Sequence, residues 1–361
     1  ACFLLARVLK TVGGSEQALP LLVDARQRFE IVAKQRPDSG AERMASACIT
    51  ERGACLLSLG RLDEAALAYE EVIRSGEQLR NEREYAVAKG NLATVRLLQG
   101  RYSEALTDHK ETNKLYTNLG EPGSVAIAYH QTGFVYEKAG QPEAAEGAYR
   151  KSLQLEVRLG NVAGQARTLG QLGNLYKNAL HRLEDAAGFY RQAAEKFVEG
   201  RDVAREGSTR SNLADTLRRL RRLDEARQEI RRAIECKAEF GQASEPWNSW
   251  AILADIETDT GNAAAAAEAK GKAIACYLAY RRDGGENHDA PGRISLAVTQ
   301  ALQSDDPAQA ATILHQLAAD PEAAGLLPSS APSRPSSPAA ATPPLPISRN
   351  WITPWPPKSS C

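Results

Sequence analysis

A forty-residue period runs through this chain and constrains its fold more than any single motif. Gly60, Gly100 and Gly140 stand forty residues apart, as do Gly120, Gly160 and Gly200. Ala65, Ala105 and Ala145 keep the same spacing and, after a one-residue slip, so do Ala186, Ala226 and Ala266. A fixed period of roughly 20–50 residues marks a solenoid, in which each unit buries its apolar face only against its neighbours. The chain is therefore read as a repeat array, and the default role of such an array is to hold something.

Each unit divides into two amphipathic stretches of about 15–18 residues with apolar positions at helical spacing. In the third unit the first stretch carries Ala126, Ala128, Tyr129, Gly133 and Tyr136, and the second carries Ala145, Ala148, Tyr149, Leu153 and Val157. Between them, Ala139-Gly140-Gln141-Pro142 places Gly where a helix stops and Pro where the next starts. Asp63, Ser103, Asp224 and Asn262 stand near second-helix starts as candidate caps. No segment sustains strand alternation, so the fold class is all-α. Small residues recur at Gly53, Ala93, Gly133, Gly173, Ala214 and Ala254 on the first helices. Set against the alanines of the second helices, they predict close approach of the two backbones.

Composition narrows the function classes. Charged residues make up 25% and apolar residues 43% of the 361 residues, and the formal net charge is zero. That balance argues against wholesale binding of nucleic acid or a membrane surface. The apolar start, Ala1 to Leu5, is too short for a span and lacks a basic lead-in. Six cysteines without CxxC spacing read as small buried hydrophobes, Cys48 and Cys55 on one helix face, in a reducing, cytoplasmic compartment. No phosphate loop, zinc-protease or nucleophile-elbow motif is present, and the five histidines are scattered. Neither an enzyme nor a cofactor or metal site is expected. The cluster Arg218, Arg219, Arg221, Arg222, Arg227, Arg231 and Arg232 is interleaved with Asp224, Glu225 and Glu229 and reads as a solvated, ion-paired face.

The strings LGRLDEAALAYEEVI at 59–73, AGQPEAAEGAYRKSL at 139–153 and LGQLGNLYKNA at 169–179 resemble tetratricopeptide repeats. Leu172, Gly173 and Tyr176 meet the family spacing on a first helix, and Ala145 with Tyr149, or Ala65 with Tyr69, meet it on a second. The forty-residue period is similar to the longer-period subtype of kinesin light chain, Pins/LGN-type adaptors and bacterial regulatory arrays. His181, after a one-residue insertion, and Arg221 stand where the pattern has Gly, so those turns are expected to be less regular.

The resemblance implies a right-handed superhelical solenoid of antiparallel helix pairs whose first helices line a concave groove. Carried over residue by residue, the groove positions are Asn91 and Thr94, then His130, Gln131, Phe134 and Glu137. Arg167, Gln171, Asn174 and Lys177 follow, then Ser211, Asn212, Asp215 and Arg218, and finally Asn248 and Asp255. Gly90 and Gly170 on the same face would open it. Side-chain amides can satisfy a peptide backbone, while Arg and Lys can take carboxylates. As exposed polar positions, Asn174 and Lys177 are expected to contribute little to stability.

The expected organisation has four parts. Residues 1–37 form an atypical N-terminal capping unit whose start, at Ala1 inside a helix, reads as truncated. Residues 38–285 hold about six helix pairs, and 291–325 a terminal helical hairpin. From 326 to 361 the chain turns Pro/Ser/Ala-rich, with ten of its eighteen prolines, and is expected to be disordered. Read in a shifted frame, 350–360 accommodates a helix-forming sequence, so a frameshift product is one reading of this tail. The expected function is a cytoplasmic scaffold binding a protein or peptide in its groove. The alternative is a sensor fragment of a larger signalling NTPase or caspase-like protease.

Overall fold

Left-handed residues set the rhythm of the molecule. Gly60, Gly100, Gly120, Gly140, Gly160 and Gly261 all have φ between 65° and 79°. At each, the helix ends in the same pair of backbone bonds: Gly60 N–H donates to Leu57 C=O and Arg61 N–H to Leu56 C=O, at 3.1 and 2.9 Å. This is the αL termination that an L side chain resists.

The computed structural model describes residues 1–282, apart from 12, 37–39 and 80, together with residue 312. Helices α1 (Cys2–Thr11) and α2 (Ser15–Gln35) form an N-terminal hairpin. Six further antiparallel pairs follow: α3 (Ala41–Ser58) with α4 (Leu62–Leu79), α5 (Glu82–Leu98) with α6 (Tyr102–Asn118), and α7 (Pro122–Lys138) with α8 (Pro142–Arg158). Then come α9 (Val162–Asn178) with α10 (Leu183–Glu199), α11 (Val203–Arg219) with α12 (Leu223–Ala238), and α13 (Pro246–Asp259) with α14 (Ala263–Arg282). Each helix packs on the next, and first helices also touch the first helices of neighbouring pairs. Among the described residues there is no strand. The result is an all-α, right-handed superhelical solenoid. The described residues up to Arg282 belong to one compact unit, Ala1–Gly284. The expected hairpin at 291–325 and tail at 326–361 lie outside the described residues, save residue 312.

The core differs in one respect from the backbone approach expected of the small residues. At Gly53, Gly133 and Gly173 the space is filled by the ring of Tyr69, Tyr149 or Tyr190 from the paired second helix. A Cβ at these three glycines would stand 2.6–2.8 Å from the nearest ring carbons. Where the first helix carries Ala instead, the opposing position is not tyrosine: Ala93 is matched by His109, Ala214 by Ile230 and Ala254 by Lys270. A methyl on one side is balanced by a smaller or flexible side chain on the other, as close packing requires.

One turn expectation is corrected. Arg221 does not loosen its turn: it adopts φ +63° and keeps the same bonds, with Arg222 N–H donating to Leu217 C=O at 2.9 Å. Gly200 keeps the forty-residue beat but sits in a right-handed conformation, and Arg201 takes the left-handed position at φ +55°. Caps also differ. Asp63, Ser103 and Asp224 lie inside the first turns of α4, α6 and α12. The side chains that accept from the backbone are Asn81, Asn161 and Asp202 at first-helix starts, and Asn262 at α14.

Candidate functional site

Helical spacing puts residues 91 and 94 of α5 on one face, with 131 and 134 of α7, 171 and 174 of α9, and 212 and 215 of α11 at equivalent places. Asn91, Gln131, Gln171 and Asn212 thus form a row of side-chain amides one repeat apart. All four are half-buried, and Asn91, Gln131 and Asn212 have no side-chain hydrogen-bond partner among the described residues. Gln171 accepts from Asn174 Nδ2 at 3.0 Å. Side chains also bridge neighbouring first helices. His130 Nδ1 lies 3.0 Å from Thr168 Oγ1, and Ser211 Oγ lies 2.9 Å from Ser249 Oγ.

The charged candidates form a ladder rather than a set of free ligands. Lys177 Nζ lies 3.7 Å from Asp215 Oδ2 and 5.9 Å from the centre of the Tyr190 ring. Burial pulls the Lys177 ammonium below the usual lysine range, and Asp215 partly restores it. Asp215 meets Arg218 at 3.3 Å, and Arg218 reaches on to Asp259 at 2.9 Å and Asp255 at 3.8 Å. These bonds tie α9 to α11 and α11 to α13.

Three candidates have roles the sequence did not reveal. His130 is a core residue: its ring lies 5.5 Å from Tyr149, and burial, aided by the positive charge of Arg167, pulls its pKa to about 3. Asn174 Oδ1 accepts from the buried Tyr190 hydroxyl at 2.7 Å, so it anchors a core ring. Lys177 is mostly covered. The expectation that Asn174 and Lys177 are stability-neutral is therefore withdrawn. Phe134 packs against Leu97, Ala105 and Val135, and Lys138 lies 5.3 Å from its ring centre. Arg167 is exposed and has no ion-pair or hydrogen-bond partner among the described residues. Sequence reading overlooked Ile127, which is 50% exposed at the position of Arg167 one repeat earlier. The forty-residue offset alone was enough to find it.

The arginine cluster divides between faces. Arg222 pairs with Glu225 and Glu184, Arg227 with Glu257 and Asp224, and Arg232 with Glu206 and Glu235. Arg221 meets Asp259 at 3.4 Å. Among the described residues no group of His, Cys, Asp and Glu could hold a metal ion, and no helix is long and apolar enough to cross a membrane.

Stacked helix pairs with first helices along one face define a helical-repeat solenoid. Models of the tetratricopeptide repeat match residues 84–156 and 124–197, and a second such model matches 207–243. The chain is a tetratricopeptide-repeat protein. No curated protein sequence matches it. Solved structures share its fold. BtubC (BKLC) from P. vanneervenii is 19% identical with a TM-score of 0.56, covering 63% of this chain and 92% of its own. A STAND signal-transduction ATPase with a tetratricopeptide repeat sensor, from Pyrococcus horikoshii, is 16% identical with a TM-score of 0.64. That alignment covers 78% of this chain and only 42% of the ATPase. A Rap protein complexed with Competence and Sporulation Factor is 15% identical with a TM-score of 0.50, covering 87% and 94%. At such identities the likeness concerns the fold alone.

Proposed function

We propose that the chain is a non-enzymatic scaffold whose first-helix face binds an extended segment of a partner protein. The observation that carries this reading is the amide row Asn91, Gln131, Gln171 and Asn212. Each amide offers a donor and an acceptor, the pair that a peptide backbone demands. Their spacing by one repeat gives a backbone a succession of equivalent contacts, as solenoid surfaces allow. Asn91, Gln131 and Asn212 are only half-buried and make no side-chain hydrogen bond among the described residues, so their polar groups are not used within the described fold. The test is the triple variant Asn91→Ala, Gln131→Ala and Asn212→Ala. It is expected to lose partner capture while melting like the parent; retained capture would remove the reading.

A second reading is favoured by the likeness to the STAND protein, whose array is described as a sensor. Under it, this array is the sensing region of a larger signalling NTPase or protease. The complete gene decides between the two, since a nucleotide-binding or protease domain in the same reading frame supports only the second.

A further inference from the structure

Aligned on their first residues, the second helices α6, α8, α10, α12 and α14 carry Tyr116, Glu156, Phe197, Lys237 and Tyr277 at one equivalent place near their ends. In α4 that place holds Gly76. An aromatic ring is thus replaced by an ionisable side chain in α8 and α12. Both of these are nevertheless buried: Glu156 is 1% and Lys237 5% exposed.

Neither charge is paired. The two carboxylate oxygens of Glu156 have no hydrogen-bond partner among the described residues. The carboxylate lies against the first turn of α9, where a Cβ on Gly164 would stand 2.3 Å from it. Burial pushes its pKa up, and the charge of Arg167 on α9 and the Asn161 amide offset this only in part. From α7, His130 reaches the same junction through Thr168, and burial keeps its ring neutral. The Lys237 ammonium has no ion-pair or hydrogen-bond partner among the described residues. Its stem lies on α11, with Cγ 3.1 Å from where a Cβ on Gly207 would stand. The connector to α13 folds over it, since Ser244 Oγ donates to Lys237 C=O at 3.1 Å. Burial pulls the Lys237 pKa down, and Glu245, just before α13, offsets this only in part. Glu206 on α11 is committed to Arg210 and Arg232. Other buried carboxylates meet a counter-charge, as Asp108 does in Arg96 and Glu257 in Arg227.

Glu156 and Lys237 stand where a second helix meets the next first helix. The α8–α9 and α12–α13 junctions are also the two least extensive contacts between successive helices. The α12–α13 connector is strained as well: Glu245 holds φ +50°, a left-handed conformation that L residues resist. A buried charge without a partner costs free energy that hydration returns. Closing either junction therefore carries an opposing contribution that the aromatic rings of α6 and α10 do not bring.

We propose that the array is jointed, with hinges at α8–α9 and α12–α13 that open readily because closing them buries the unpaired Glu156 and Lys237. The stack from α9 to α12 moves between them as one rigid body. The two hinges answer to pH in opposite directions. Protonation removes the Glu156 charge, so acid closes α8–α9; loss of a proton removes the Lys237 charge, so alkali closes α12–α13.

Pulsed electron paramagnetic resonance on the full 361-residue chain tests this, with spin labels carried by a non-canonical amino acid at pairs of exposed positions. Glu143 with Glu195 spans α8–α9, Arg231 with Ala267 spans α12–α13, and Glu195 with Arg231 spans α10–α11 as the control. The first two distance distributions are expected to be broader than the control. Glu156→Gln should narrow only the first and Lys237→Met only the second, each to the control width. In the parent, which needs no substitution to fold, mild acid should narrow only the first and mild alkali only the second. Three equal widths overturn the hinges. Broad distributions that survive Glu156→Gln, Lys237→Met and both pH changes show motion without charge control and overturn the proposal equally.

Discussion

The ring of Tyr149 occupies the space that a side chain at residue 133 would need: a Cβ on Gly133 would lie 2.6 Å from Tyr149 Cδ1. The tyrosine hydroxyl then reaches Glu137 Oε2 on the same first helix at 3.0 Å. Glycine here is a packing requirement, because the facing side chain is aromatic. Gly133→Ala is expected to destabilise the array by about 1–3 kcal/mol, the usual overpacking cost. Adding Tyr149→His recreates the pairing of Ala93 with His109 and should recover part of the loss. Urea denaturation reads both; an unchanged midpoint for Gly133→Ala would remove the complementarity.

Arg201 and Arg221 hold left-handed conformations at φ +55° and +63°. Such a conformation costs an L side chain about 1–2 kcal/mol that glycine avoids. Arg201→Gly should raise the unfolding free energy by up to about 1 kcal/mol after glycine's own entropy cost, and the melting temperature with it. Arg221→Gly should gain less, since it also gives up the pair with Asp259. A lower melting temperature for Arg201→Gly would contradict this.

How far the sequence reveals the fold follows from these turns. The beat of Gly60, Gly100 and Gly140 is visible because only glycine adopts the turn without strain. The same logic misleads at Gly200, where the one-residue insertion near His181 moves the left-handed site to Arg201. Site residues are harder to read for a different reason. Which face Asn174 and Lys177 occupy follows from helical spacing, but what covers them does not. Asp215 reaches Lys177 from 38 residues away, and Tyr190 reaches Asn174 from the facing helix. Both meetings depend on how neighbouring helices cross.

Asn174 and Lys177 now carry a stability prediction. Asn174→Ala leaves the buried Tyr190 hydroxyl without its acceptor and should cost about 1–3 kcal/mol. Tyr190→Phe should make a subsequent Asn174→Ala nearly neutral. A double-mutant cycle measures this coupling, and additive losses would show that the hydrogen bond contributes nothing.

Stability should fall in mild acid because of His109. Its ring is buried with neither nitrogen hydrogen-bonded, and burial pulls its pKa from 6.5 to about 4. The unfolded chain takes up a proton near pH 6.5 that the folded chain refuses. Stability from this group is therefore complete above about pH 6.5 and is lost as pH falls toward about 4. His109→Leu should lose less unfolding free energy than the parent over that window. Glu137, whose carboxyl burial pushes up, acts in the opposite direction, but it is common to both proteins and cancels in the comparison. Parallel pH profiles would contradict the assignment.

The most direct test of the groove is a site-specific photo-crosslink. A benzophenone amino acid placed at Gln131, on the first-helix face, should crosslink a partner captured by the chain. The same group at Leu67, which is exposed on the second helix α4, should not. Crosslinks from Leu67 with none from Gln131 would place the partner on the outer helices and contradict the account.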